Sequence, residues 1–144
     1  MANILKMSEA ASLALHSIVL LAANPGKLIP TREIASRLHV SEAHLSKVLQ
    51  RLARDGFVRS IRGPKGGFTL VKPAGEITLL DVYESIEGSF VPTKCLFGAP
   101  ICSGERCILG GLLETVDKQI RDYLAETKLS ELTSVYRSTK HEKA

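Results

Sequence analysis

The sequence predicts a mostly α-helical fold carrying one small β-hairpin. Three observations point there: helix-period apolar patterning over most of the 144 residues, helix stops and caps at regular intervals, and a Gly/Pro-rich loop between two short β-prone runs. Hydrophobic residues make up 44% and charged residues 24%, a composition able to build one compact core. Aromatics are only 5% and tryptophan is absent, so platforms for stacking single-stranded bases are poorly supplied. Net charge is +4, but residues 1–75 carry 11 Lys and Arg against 4 Asp and Glu, while residues 76–144 carry 8 against 11. The basic half is the nucleic-acid candidate.

Met7 to Ala23 reads as a first helix, stopped by Asn24, Pro25 and Gly26, with Leu15, Ile18, Val19 and Ala22 as its apolar stripe and His16 away from the centre of that stripe. This run after Lys6 imitates a signal peptide, yet Glu9 and His16 interrupt it, and an odd number of clustered cysteines is not a secreted disulfide framework. The chain is expected to be cytoplasmic and to have no membrane partner, because no stretch has the length to cross a bilayer. Thr31 is the expected N-cap of a short second helix over REIASRLH; Ser41 caps a third that ends at Gly56. In the third helix Leu45, Val48, Leu49 and Leu52 face inward, while His44, Lys47, Arg51 and Arg54 form an outer polar row. Two helices with a tight turn and a basic outer row describe a helix-turn-helix.

The hairpin follows, with strands over Phe57–Ile61 and Phe68–Val71 and cations Arg59, Arg62, Lys65 and Lys72 along it. Its GPKGG loop lacks both glycine-rich nucleotide-binding patterns, and an Arg beside Gly-Pro on a slim loop suits a minor groove. Thr78 with Asp81 makes a capping-box start to a short helix ending near Gly88. Beyond it, CLFGAPICSGERC holds all three cysteines at C-x6-C-x4-C, with Gly98, Pro100 and Gly104 allowing the loop to curl. Three clustered thiolates suit a soft metal, as iron-sulfur ligands or as three of four zinc ligands. There is no C-x-x-C, so a thiol redox enzyme ranks far behind. From Ile108 the chain reads as a long helix with Leu109, Leu112, Leu113, Val116, Ile120, Tyr123 and Leu124 on one side. A short helix over LSELTSVYR and a tail complete the chain.

The runs SEAHLSKVLQRLARDGFV, SIRGPKGGFTL and ITLLDVYESIEG, followed by the three-cysteine loop, closely resemble the Rrf-type winged helix-turn-helix regulators of the IscR and NsrR kind. The resemblance spans almost the whole chain. It implies a homodimeric transcription factor, not an enzyme, that binds a double-stranded DNA operator and senses iron, redox or nitric-oxide status. The organisation it implies is a DNA-binding domain at 1–75, a connector at 76–94 and a cluster loop at 95–107. Dimerisation and C-terminal helices follow at 108–137, and a tail at 138–144.

In DNA binding it implies Thr31, Ser41, His44, Ser46, Lys47 and Arg51 from the helices, and Arg59, Arg62, Gly63, Pro64 and Lys65 from the wing. Ser46 stands where IscR has a Glu that restricts site choice. The resemblance also implies an iron-sulfur cluster on Cys95, Cys102 and Cys107, whose spacing leaves 2Fe-2S and 4Fe-4S both open. For the fourth ligand, the IscR pattern has a His where this chain has Gly110, and the NsrR pattern an Asp where it has Ser12. A further pattern pairs a Glu and a His four residues apart in the first helix, and His16 matches its His. The fourth ligand is therefore expected to be His16 of the partner subunit, with Glu9, Glu105 or an exogenous ligand as competitors. Relatives lacking a cluster imply the alternative, a regulator using the cysteines as a zinc site or thiol switch.

Overall fold

The computed structural model describes residues 7–93, 95–97, 101–102 and 107–136. The expected tail at 138–144 lies outside them, as do Gly98, Pro100, Gly104 and Glu105.

Helix α1 (Glu9–Ala22) is the centre of the core. Ser8 caps it, its Oγ accepting from the Ala11 amide at 3.0 Å, and the Asn24 side chain donates to the Leu20 carbonyl at 2.9 Å at the other end. Its burial is broader than one stripe: Leu13, Ala14, Leu20 and Leu21 are as deeply covered as Ile18 and Val19. The reason is that the helices at Glu42–Arg54 and Leu79–Glu87 and the C-terminal turns pack on several of its sides.

Helix α2 (Thr31–Leu38) differs from expectation at its start: Pro30 takes the cap position, without a side-chain hydrogen bond, and Thr31 is the first helical residue. The Pro30 carbonyl accepts from the Glu33 and Ile34 amides, and a proline holds the extended backbone that this position needs. After His39, which ends α2 in the left-handed conformation, Ser41 caps α3 (Glu42–Arg54) by accepting from the His44 amide. Leu45, Val48, Leu49 and Leu52 are all buried as expected, each stabilising the fold by about 1.5–3 kcal/mol.

Strands β1 (Val58–Ile61) and β2 (Gly67–Leu70) pair antiparallel, with Val58 opposite Leu70 and Ile61 opposite Gly67. A third extended segment joins them: Ile29 pairs with Phe68 through N–H···O bonds of 2.9 and 3.0 Å. This ties the hairpin to the residue just before α2. Its angle to the helix-turn-helix is thereby set.

Helix α4 (Leu79–Glu87) begins with the full capping box, Thr78 Oγ1 accepting from the Asp81 amide at 3.1 Å and Asp81 accepting from the Thr78 amide at 3.0 Å. Helix α5 spans Leu112–Glu126, so Ile108 and Leu109 lie in a turn before it rather than on it. Gly110, at φ +59°, and Gly111 separate that turn from the helix. The C-terminal run forms two short 3₁₀ turns, Leu129–Glu131 and Thr133–Tyr136, in place of one helix. Pairing explains this, because the Leu79 amide donates to the Thr127 carbonyl and the Leu129 amide to the Ile77 carbonyl, both at 3.0 Å, holding the chain extended there. Among the described residues, no helix is long and apolar enough to cross a membrane.

Candidate functional site

The residues expected to meet DNA gather along α3 and the hairpin. Ser41, at the cap, and Lys47 and Arg51 are exposed; Thr31, His44 and Ser46 are half-buried. From the hairpin, Arg59, Arg62, Gly63, Pro64 and Lys65 are all exposed. Among the described residues, none of Lys47, Arg51, Arg59, Arg62 or Lys65 is in an ion pair, so their charge is available to phosphates. Lys72 is engaged otherwise, its ammonium 4.8 Å from the centre of the Phe57 ring. Arg62 shares a groove with Thr31, Arg32, Glu42 and Ser60, where the hairpin faces the first turns of α2 and α3. Ser46 accepts from the Gln50 amide nitrogen at 3.3 Å.

Two contacts here were not legible in the sequence. Glu9, a competing metal ligand by sequence, directs a carboxylate oxygen to 3.5 Å from His44 Nδ1. Their separation of 35 positions gives no periodic signal. The Ile29–Phe68 pairing also requires Gly67, since a Cβ there would lie 2.5 Å from the Ile29 carbonyl. An apolar residue preceding Pro30, itself biased to extended backbone, was the available hint.

All three cysteines are free thiols; Cys102 is exposed, and Cys95 and Cys107 are half-buried. Among the described residues, no three Cys, His, Asp or Glu side chains stand close enough together to hold a metal. At the loop ends, Cys95 Sγ accepts from the Phe97 amide at 3.4 Å and Cys107 Sγ from the Leu109 amide at 3.5 Å. Backbone N–H groups directed at sulfur recur around iron-sulfur ligands. On the loop's approach, the Thr93 amide donates to the Asp117 carboxylate of α5.

His16 is exposed on α1, and its Nδ1 lies 2.6 Å from the Ser12 carbonyl, leaving Nε2 open. A metal-bound histidine is usually oriented in this way, through its other nitrogen. It borders an apolar hollow of about 170 Å³ formed by Leu15, Val19, Leu79, Leu132, Val135 and Tyr136. Burial raises the Tyr136 hydroxyl above the usual tyrosine value, and burial, with Glu87 and Asp117 nearby, does the same for Tyr83.

Helix α5 divides its apolar residues between two faces. Leu124 is buried and Ile120 half-buried against the core, Leu113 is half-buried, and Leu112, Val116 and Tyr123 are exposed on the adjacent face.

A helical pair with an exposed basic recognition face, extended by a cationic hairpin set against it, defines the winged helix-turn-helix class of DNA-binding transcriptional regulators. The chain belongs to the Rrf2 family: that family model, described as "Iron-dependent Transcriptional regulator", matches residues 7–134. Among its relatives is the HTH-type transcriptional regulator IscR of Photorhabdus laumondii, 31% identical over 106 residues, 74% of this chain and 65% of that protein. Its fold matches CymR, the global cysteine regulator of B. subtilis, with a TM-score of 0.75 and 27% identity over 93% of this chain and 100% of that one. The oxidized form of CymR from Staphylococcus aureus matches with a TM-score of 0.70 and 28% identity, over 90% and 96% of the two chains. Regulators, not enzymes, make up this company.

Proposed function

We propose that this protein is a homodimeric, cytoplasmic regulator that grips operator DNA with α3 and the wing and senses iron, redox or nitric-oxide status through an iron-sulfur cluster on Cys95, Cys102 and Cys107. The observation that carries the cluster reading is the pair of backbone N–H···S bonds at Cys95 and Cys107. Three thiolates are the donor set such a group takes once the loop gathers them, and His16 of the partner subunit suits the fourth place because Nδ1 is already held by a carbonyl. Bound there, the cluster supplies a centre that oxidants, nitric oxide or iron starvation can alter or remove.

The chain's own residues provide the coupling. Thr93 on Asp117 fastens the approach to the loop onto α5, and the exposed Leu112, Val116 and Tyr123 supply that helix with a dimer face. In a dimer joined through α5, any shift of that helix changes the separation of the two α3 helices. Their half-sites lie about 34 Å apart on a duplex, so a few ångströms of error misplace both. Ser41, His44, Ser46, Lys47 and Arg51, with Thr31 at the start of α2, face bases and phosphates in this reading. Arg62, supported by Arg59, Gly63, Pro64 and Lys65, enters the minor groove.

Iron, acid-labile sulfide and zinc analysis of protein purified without oxygen, beside Cys102→Ala, tests the cluster. Equal iron and sulfide, lost in the variant, is the expected result; a colourless protein holding zinc or no metal sinks it. That second result is what the alternative predicts, a zinc site or thiol switch on the same DNA-binding frame. The exposure of Cys102 to oxidants favours this alternative, as does the likeness to CymR, which has been seen in an oxidized form.

A further inference from the structure

We propose that Glu9, which lies outside the helix-turn-helix, gives the DNA-reading surface a base preference by fixing the orientation of His44. The inference rests on the DNA-binding reading of α3. Glu9 is the first residue of α1, and the preceding Ser8 holds its backbone from two directions, accepting from the Ala11 amide at 3.0 Å and donating to the Glu87 carboxylate of α4. His44 is the third residue of α3, in the N-terminal turn with which recognition helices meet base edges. A Glu9 oxygen lies 3.5 Å from its Nδ1.

A carboxylate can only accept, so Nδ1 faces it as an N–H, and in the neutral ring Nε2 is then left as a bare acceptor. The geometry of the ring turns Nε2 away from Glu9. In the major groove an acceptor is satisfied by the adenine N6 or cytosine N4 amino group and meets only like acceptors on guanine and thymine. The neutral His44 so held selects adenine or cytosine at one position of each half-site. Released from Glu9, the ring can take either tautomer, and the choice is lost.

The test is selection from randomised duplexes followed by direct binding, for wild type, Glu9→Met, Glu9→Gln, His44→Ala and Glu9→Met/His44→Ala, each checked for an unchanged thermal unfolding transition. Methionine keeps length and helix propensity without an acceptor, whereas glutamine keeps an acceptor without charge. Wild type should prefer adenine or cytosine at one half-site position by about fivefold or more, in line with a single good base contact. Glu9→Met and His44→Ala should each level that preference to within about twofold, the double variant adding nothing, while Glu9→Gln retains it.

An unchanged base profile in Glu9→Met overturns the inference. So does an affinity change equal for all sequences, or a preference lost in Glu9→Gln as well, since either makes Glu9 merely a charge. A wild type that binds no duplex overturns the underlying DNA-binding reading instead.

Discussion

Replacing Gly67 with alanine places a Cβ 2.5 Å from the Ile29 carbonyl carbon and oxygen and 2.8 Å from the Pro30 nitrogen, closer than packed atoms tolerate. All of those atoms are backbone, so no side chain can swing aside. The hairpin must withdraw, losing the two Ile29–Phe68 hydrogen bonds, worth about 0.5–1.5 kcal/mol each. Gly63→Ala is the control: it too has a positive φ, +118° against +155°, but its Cβ would meet nothing within 4 Å. Torsional strain, about 1–3 kcal/mol, is common to both. Gly67→Ala should therefore be the less stable by about 1–3 kcal/mol, read in urea unfolding as a lower midpoint with unchanged slope. Its duplex binding should also weaken, because the wing loses its angle to α2. Equal stability of the two variants would refute the reasoning.

Arg62→Ala should weaken duplex binding, lower the slope of log affinity against log salt by about one per wing, and leave metal content as in wild type; unchanged affinity would mean the wing does not touch DNA. Val116→Glu with Tyr123→Glu puts two charges on the exposed face of α5, and sedimentation should then find monomer in place of the proposed wild-type dimer. Tyr83 and Tyr136 titrate above the ordinary tyrosine value in the fold, so the unfolded chain loses those protons first as pH rises. Stability should consequently fall as pH climbs past about 10, and Tyr136→Phe should flatten the decline.

Local signals made most elements legible in advance. Thr78 and Asp81 carry their capping box in the sequence, Ser41 its cap, and the inward residues of α3 their period. Longer-range pairings were not legible. Nothing in LSELTSVYR reveals that Thr127 and Leu129 pair with the residues before α4, so the run reads as a helix although the chain is held extended and then in 3₁₀ turns. Similarly, the single apolar stripe read in α5 is two adjacent faces, because periodicity cannot say which apolar residues the domain covers. In the candidate site, the cations of α3 and the wing were visible as a charge pattern, whereas the approach of Glu9 to His44 depends on how α1 packs beside α3.

Coupling between the cysteine loop and the DNA-reading face is the core of the proposed switch. Its most direct test is operator affinity measured at one salt concentration for protein purified without oxygen and for the same protein after removal of the iron of the proposed cluster. Coupling of about 1–3 kcal/mol, typical of such switches, predicts affinities about 5- to 150-fold apart. Identical affinities for the two forms would contradict it.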